Sequence, residues 1–290
     1  MLISEFHKLY KSNGLSLEIV HQFQNMVYAY FKQKGRIFPF RQNITPYNVL
    51  VSEIMLQQTQ TGQVSEKFLN FIEKFPNFRA LSDGPLESVL KAWQGLGYNR
   101  RAVALKKIAE IVIKEYNGNL PDSVELLKTF PQIGHNTASS IVAFAFNKPT
   151  IFIETNIRRV YIYFFFPGKS KITDKEIIPI LEKTIDKSNP RKWYYALMDF
   201  GVMLKKTHPD LNKRSAHYRK QAPFKGSNRQ IRGEILRILM QNNTIKRNVL
   251  TQKFKDVDGQ KLKMILAQLE KEEFIETMED IVRLRTSIAD

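Results

Sequence analysis

The chain contains no cysteine, and this absence removes several classes of site at once. Its 290 residues offer no thiol that could form a disulfide, bind zinc or hold an iron–sulfur cluster. None of the five histidines has the HxxxH or HExxH spacing of a metal site. The sequence therefore predicts no bound metal.

Long apolar runs are missing as well. No stretch approaches the ~20 apolar residues that cross a bilayer. The first residues, MLISEFHKLYKSNG, lack the basic-then-apolar order of an export signal. We therefore expect a cytoplasmic, intracellular protein that is not anchored in a membrane.

Acidic residues are too few to balance the basic ones. There are 28 Asp and Glu against 45 Lys and Arg, which gives a formal net charge of +17. Lys and Arg that neutralise phosphates release condensed counterions, so this excess favours a polyanionic partner, first of all nucleic acid. A solubilising surface charge and an anionic membrane stay open at this point.

Apolar residues recur at spacings of three and four over the first 220 residues, a pattern typical of amphipathic helices. The periodicity predicts helices over residues 17–31, 49–58, 64–75, 86–93, 102–116 and 137–146. An all-α fold follows from these helices. The apolar run 161–166, YIYFFF, does not alternate and fits either a buried helix or a strand.

The composition changes near residue 205. A basic stretch with a single acid is followed by Pro223, Gly226 and Ser227, which are typical of a linker. Beyond it, three helical segments (231–240, 249–254 and 259–273) precede two short β-type runs (274–277 and 281–285). This order resembles a winged-helix domain, whose third helix commonly enters a major groove, but generic protein-docking modules share it. The predicted domains are residues 1–225 and 226–290.

Residues 130–138, FPQIGHNTA, predict a turn that opens directly into an apolar helix. It looks like the hairpin of a helix-hairpin-helix motif, which exposes N–H groups that can hold a DNA phosphate without reading sequence. An ordinary turn between helices is an equal alternative. The predicted phosphate contacts are Gln132, Gly134, His135, Asn136 and Thr137. A monovalent cation at this hairpin is left open.

Residues 152–160, FIETNIRRV, place Glu154 beside small polar residues, where an acid is most commonly a helix N-cap. The segments FPFR (38–41), TPY (45–47), SEIMLQQTQ (52–60) and GLGY (95–98) precede it. In this order and spacing, they resemble the MutY-type adenine DNA glycosylases of the helix-hairpin-helix superfamily that includes endonuclease III. The resemblance covers residues 25–220, and SEIMLQQTQ is its specific part.

The resemblance implies a two-lobed helical enzyme of base excision repair that flips adenine out of a mismatch in double-stranded DNA and cleaves its N-glycosidic bond. Glu53 matches the acid that protonates adenine, and Glu154 stands where the family has its catalytic Asp. Cleavage builds positive charge on the sugar, so a proton donor at the base and a carboxylate at the sugar fit the chemistry. Burial against Ile54 and Leu56 would favour a protonated Glu53.

Other positions match residues that surround the flipped base. Gln58 and Tyr98 match residues that enter the stack when the base leaves, because the hole must be filled. As an alternative, Tyr98 is a core aromatic. The remaining predicted base-pocket and flipping residues are Arg41, Gln57, Thr59, Asn156 and Asp199.

The chain departs from the family pattern at several positions. Glu154 is one methylene longer than Asp. Asn136 replaces the Schiff-base Lys of the bifunctional members and has no amine nucleophile, which implies weak or no lyase activity. Gln132 replaces the first Gly of the hairpin, where Gly permits a close approach of the phosphate. The cluster cysteines would fall at Leu204, Leu211, Arg214 and Lys220, so we expect no iron–sulfur cluster and apolar packing in its place.

Three functions remain in competition. The leading one is a monomeric, monofunctional and metal-free glycosylase, associated with the nucleoid, for adenine opposite guanine or 8-oxoguanine. The C-terminal segment is too short for the family's oxoguanine-reading domain, which puts recognition of that base in question. A second is a glycosylase of the same fold with another target base. A third is a catalytically silent protein that binds distorted DNA, against which the retained acids argue.

Overall fold

The structure is a computed structural model that describes residues 2–219, 223–242 and 244–285. Within these ranges the chain is mainly helical, with three short strands near its end. The helices are α1 (Ile3–Asn13), α2 (Leu17–Lys34), α3 (Pro46–Leu56), α4 (Thr61–Lys74), α5 (Phe78–Asp83), α6 (Leu86–Trp93), α7 (Arg100–Glu115), α8 (Val124–Leu127), α9 (His135–Phe146), α10 (Thr155–Phe165), α11 (Asp174–Thr184), α12 (Pro190–Thr207), α13 (Asn228–Asn242), α14 (Arg247–Lys253) and α15 (Gly259–Lys271). The strands are β1 (Thr244–Lys246), β2 (Ile275–Met278) and β3 (Ile281–Leu284). None of the described helices is long and apolar enough to cross a membrane.

The chain divides into two compact units, each built from two separate segments. The first unit comprises residues 1–50 and 122–220, and the second comprises residues 51–121 and 221–290. The first boundary therefore falls inside α3. The C-terminal residues group with 51–121, while the domain division at residue 225 stays a prediction.

The first unit is built around an apolar cluster in which α10 packs on α12. Phe23 on α2 meets Phe164 edge to face at 4.9 Å and Trp193 at 5.5 Å between ring centroids. All three side chains are fully buried. The run 161–166, which fitted a helix or a strand, lies almost entirely in α10, whose side chains are buried on several faces.

The second unit packs α4 and α6 against one another and α5 and α6 against α7. Phe71 lies edge to face on Trp93, with 5.9 Å between ring centroids. In its C-terminal segment, α13, α14 and α15 accompany an antiparallel sheet in the order β1-β3-β2. Ile245 and Thr277 both pair with Val282. The sequence did not predict β1, because three residues are too few to show alternation.

Contacts within the second unit tie its C-terminal segment to residues 51–121. Lys107 Nζ lies 3.3 Å from Glu273 Oε2. The Gln94 amide donates to the Met240 sulfur at 3.6 Å. A third contact joins Arg229 of the C-terminal segment to the Tyr98 hydroxyl.

Helix α3 begins and ends earlier than the periodicity predicted. The Thr45 hydroxyl accepts from the Asn48 N–H at 3.1 Å, and Pro46 occupies the first position, so capping and a fixed φ start the helix there. At the other end Gln58 has φ 57°, outside the right-handed helical region. The predicted span of 49–58 is corrected to Pro46–Leu56 for these two reasons.

Candidate functional site

Glu154 is the N-cap of α10, the commoner role of an acid in that position. Its Oε1 accepts from the backbone N–H groups of Asn156 at 2.8 Å and Ile157 at 3.0 Å. Its Oε2 accepts from the Asn156 amide at 3.3 Å. Burial raises the pKa of Glu154, and these hydrogen bonds oppose that rise because they stabilise the carboxylate. The structure thus brings together Glu154 and Asn156.

A buried arginine extends this arrangement toward α12. Arg159 Nη1 donates at 2.7 Å both to Asn156 Oδ1 and to the carbonyl of Gly201. Its charge also lowers the pKa of Glu154 and so partly opposes the effect of burial. At Gly201 a Cβ would lie 2.7 Å from the Cβ of Asn156 and clash with its carbonyl oxygen, so only glycine permits this approach of α12 to α10. The position of Glu154 therefore depends on how these two helices pack.

The hairpin between α8 and α9 is bonded to the extended segment that leads to Glu154. The Asn136 amide donates to the Ile153 carbonyl at 2.9 Å, and His135 Nε2 lies 3.1 Å from the Ile151 carbonyl oxygen. Gly134 caps α9 in an extended conformation, and Gln132 adopts φ 61°. The backbone at Gln132 thus reaches the left-handed region that Gly adopts easily. Thr137 follows in the first turn of α9.

Asp199 is buried, and both of its carboxylate oxygens accept hydrogen bonds from two arginines. Arg41 Nη1 donates to both of its carboxylate oxygens at 3.1 Å. Arg36 donates through its backbone N–H at 2.7 Å and through Nε at 2.8 Å. The Arg41 guanidinium also lies over the Tyr195 ring at 4.3 Å from its centroid. Asp199 and Arg41, both predicted near the base pocket, therefore anchor residues 36–41 to α12. Arg36 was not predicted.

Glu53 lies on α3. Residues 47–52, 54 and 55 are all buried, whereas Glu53 is half-buried. Glu53 lies in the second unit and Glu154 in the first.

The loop after α3 is held by Arg101, a residue that the sequence analysis missed. Arg101 is 3% exposed, and burial lowers its pKa to about 10. Its Nη1 donates to the carbonyls of Ile54 at 2.9 Å, Met55 at 2.8 Å and Gln57 at 2.5 Å. Its Nη2 donates at 3.0 Å to Thr59 Oγ1 and to the carbonyls of Leu96 and Gly97. One side chain therefore fixes both the loop 57–59 and the turn 95–97.

A sequence signal for Arg101 exists. Arg101 shares a helical spacing of four, seven and eleven residues with Leu105, Ile108 and Val112, all buried on α7. A charged residue on the buried face of an apolar helix needs hydrogen-bond partners. The carbonyls at the end of α3 provide them, since the last turn of a helix leaves its carbonyls without partners in the helix.

Gln58 and Tyr98 both have a left-handed backbone, with φ 57° and φ 49°. Non-glycine residues in this region cost free energy and cluster at functional sites. Gln58 is exposed and Tyr98 is half-buried. The two residues predicted to enter the base stack thus occupy strained positions in the two loops that Arg101 holds.

The positions that match the family's cluster cysteines do not fit an iron–sulfur cluster. Leu204 and Leu211 belong to the buried apolar cluster of the first unit. Arg214 donates through Nε to the Lys169 carbonyl at 2.7 Å, and through Nη2 to the Phe166 carbonyl. Lys220 lies outside the described residues. Apolar contacts and backbone hydrogen bonds hold this segment, and no thiolate is available in the sequence.

The loops that Arg101 holds and the hairpin both lie in a part of the chain that resembles a known protein family. Residues 51–187 match the family model described as the HhH-GPD superfamily base excision DNA repair protein. This part of the chain is similar to the HhH-GPD domains of that superfamily. It contains the SEIMLQQTQ block, the GLGY turn, the hairpin and Glu154.

Curated relatives of this chain carry the name adenine DNA glycosylase. The one from Buchnera aphidicola subsp. Baizongia pistaciae (strain Bp) is 38% identical over 190 residues, which are 64% of this chain and 53% of that protein. The one from Mycobacterium tuberculosis (strain CDC 1551 / Oshkosh) is 35% identical over 133 residues, 46% of this chain and 44% of that protein. This chain spans about half the length of these relatives.

Solved structures support the fold. A thermostable thymine-DNA glycosylase aligns with a TM-score of 0.56 and 25% identity, over 63% of this chain and 86% of that chain. Endonuclease III in a non-covalent DNA complex aligns with a TM-score of 0.54 and 22% identity, over 65% and 88%. The predicted helical, endonuclease III-like fold is confirmed.

Proposed function

We propose that this protein is a DNA glycosylase of base excision repair that removes adenine from mismatches in double-stranded DNA. One observation carries the proposal. The residues that match the base-replacing positions, Gln58 and Tyr98, have a strained left-handed backbone, and their loops converge on the buried Arg101. The curated relatives, named adenine DNA glycosylases, support adenine as the target.

In the proposed reaction, Glu53 donates a proton to the adenine ring. The electrons of the N-glycosidic bond then leave with a neutral base, and positive charge develops on the sugar. The Glu154 carboxylate stabilises that charge, and a water molecule completes the hydrolysis by adding hydroxide to the sugar and releasing a proton. The N–H groups at the start of α10 and the charge of Arg159 favour the ionised form that Glu154 needs.

The N-terminus of α9 is the proposed phosphate site. The first N–H groups of a helix lack partners within it, and the helix dipole favours an anion there. Gly134 and His135 supply this end of the helix, while Gln132 and Thr137 flank it. Asn136, bonded to the Ile153 carbonyl, has no amine, so the proposed enzyme is monofunctional. It acts inside the cell as a metal-free monomer, with the division at residue 225 separating a C-terminal winged-helix-like module.

A base-release assay over a panel of duplexes tests the proposal. Adenine is placed opposite guanine, 8-oxoguanine, cytosine and thymine, and guanine is placed opposite thymine. Hot alkali then converts each abasic site to a strand break. We expect breaks at adenine opposite guanine or 8-oxoguanine. Breaks at other bases alone would assign another target, and tight binding without any break would assign a silent DNA-binding protein.

A mismatched pyrimidine is the second candidate target. It is favoured by the likeness to the thymine-DNA glycosylase, which at 25% identity aligns over most of that protein's length. In the same panel it would appear as a break at thymine opposite guanine.

A further inference from the structure

The C-terminal segment of the second unit contacts Tyr98 directly. Arg229, in the first turn of α13, donates from Nη1 to the Tyr98 hydroxyl at 2.6 Å across 131 positions of the sequence. Its guanidinium lies 5.7 Å from the centroid of the Tyr98 ring. The hydrogen bond is partly shielded from solvent. A hydrogen bond from a charged donor is stronger than one between neutral groups, so this contact fixes the hydroxyl end of the ring.

Tyr98 is therefore held at two ends by two arginines. Arg101 bonds to the carbonyls of Leu96 and Gly97, which precede Tyr98, and its guanidinium lies 5.5 Å from the same ring. Arg229 bonds to the far end of the side chain. The first contact sets the backbone of the turn, and the second sets the direction of the ring.

We infer that Arg229 is a positioning residue that holds Tyr98 ready to enter the base stack when the target base leaves it. The inference rests on the proposed function. Opening a base stack costs free energy, and a residue that fills the gap acts best when its conformation is fixed beforehand. The left-handed backbone of Tyr98 is a costly conformation, and the hydrogen bonds from Arg101 to the two preceding carbonyls help to keep it populated.

Base-flipping fluorescence tests this inference with the full chain. The probe is a duplex that carries 2-aminopurine beside the target adenine, whose fluorescence rises when its neighbour leaves the stack. The variants are Arg229→Ala, Arg229→Lys, Tyr98→Phe and the Arg229→Ala/Tyr98→Phe double variant. Single-turnover base release is measured in parallel, and circular dichroism verifies folding.

We expect Arg229→Ala and Tyr98→Phe each to slow flipping and base release by about tenfold, the lower end of the scale for removing one hydrogen bond to a charged group. The double variant should be no slower than either single one, because both substitutions remove the same interaction. Arg229→Lys keeps a charged donor and should recover part of the rate. The matched control is Arg237→Ala on the same helix, where the exposed Arg237 pairs with Glu234 three positions away, and it should flip bases normally.

Additive effects of the two substitutions would overturn the inference. So would an Arg229→Ala variant that binds every duplex more weakly, with a shallower salt dependence and unchanged fluorescence, because Arg229 would then contact a phosphate. If the wild-type protein flips the base without releasing it, the proposed function fails while the comparison of variants still decides the role of Arg229. A wild-type protein that neither flips nor releases a base overturns both.

Discussion

Glu154 combines a structural contact with a proposed chemical role in one carboxyl group. As the N-cap of α10 it accepts two backbone N–H groups, and burial at the same time raises its pKa. The hydrogen bonds favour the ionised form and burial disfavours it. A positive charge beside this buried carboxyl group stabilises its ionised form. The oxocarbenium-like sugar supplies such a charge in the transition state.

Replacing Glu53 by Gln should abolish base release while duplex binding persists. Gln keeps the shape of the side chain but is no useful proton donor, and removing a general acid typically costs about 10²–10⁴-fold in rate. The measurement is the single-turnover rate on adenine opposite 8-oxoguanine, together with binding to the same duplex. A near wild-type rate would remove Glu53 from the mechanism.

The stability of the protein should depend on pH through Glu154. Because its folded-state pKa is raised, its contribution to stability is complete below the unfolded pKa and is lost as the pH rises through the folded value. The difference in free energy of unfolding between wild type and Glu154→Gln should therefore become less favourable to the wild type from acid to neutral pH. Urea denaturation over a pH series measures it, and a difference independent of pH would contradict it.

Glu176 provides a control of opposite sign. Hydrogen bonds from Lys169 and Thr173 lower its pKa to about 2. Its contribution to stability is present above the unfolded pKa and is lost as the pH falls toward about 2. Glu176→Gln should thus be less stable than wild type at neutral pH and approach it in acid.

At the level of elements, the packing of α10 on α12 fixes where Glu154 and Asn156 lie. Gly201 makes this packing possible, because an added Cβ would clash with the Asn156 carbonyl oxygen and approach its Cβ to 2.7 Å. Backbone atoms of two packed helices cannot move aside as a flexible side chain can. The carbonyl of Gly201 also accepts the bond from Arg159.

Gly201→Ala should therefore lower the free energy of unfolding by about 1–3 kcal/mol, the usual cost of overpacking a core. It should also slow base release, since Asn156 and the Glu154 cap move together. The control is Gly233→Ala in the middle of α13, where an added Cβ meets nothing within 4 Å. That change should stabilise α13 by up to about 1 kcal/mol. Thermal unfolding measures both changes in stability, and the base-release assay measures the rate. A Gly201→Ala variant as stable and as active as the wild type would contradict the prediction.

The sequence predicted elements better than it predicted the packing between them. The predicted span 86–93 coincides with α6, because its apolar residues all face one side and Pro85 marks its start. The end of α3 and strand β1 were missed, since a left-handed residue and a three-residue strand leave no periodic signal. Arg101 was missed for a different reason. Its partner Ile54 lies 47 positions away, and only the packing of the elements brings the two together.

For the whole molecule, the net charge of +17 predicts a polyanionic partner but does not locate it. Exposed lysines of the C-terminal segment are candidate contacts for the phosphates of DNA. Lys255 and Lys263 are exposed, and Lys263 lies on α15, the third helix of the predicted winged-helix-like module. Lys261 differs from them, because its ammonium donates to the Gly226 carbonyl at 3.1 Å.

Replacing Lys255 and Lys263 by Gln should weaken DNA binding and flatten its salt dependence, by about 0.9 unit of log–log slope for each phosphate that is no longer neutralised. Single-turnover base release at saturating protein should stay unchanged, because neither lysine lies near the proposed acids in sequence or takes part in holding Tyr98. Fluorescence anisotropy over a salt series measures the slope.

The control replaces Lys8 and Lys11 on α1 and removes the same charge. An equally reduced slope in the control would show that net charge alone is responsible. An unchanged slope with impaired discrimination between opposing bases would instead assign this segment to reading the base opposite adenine.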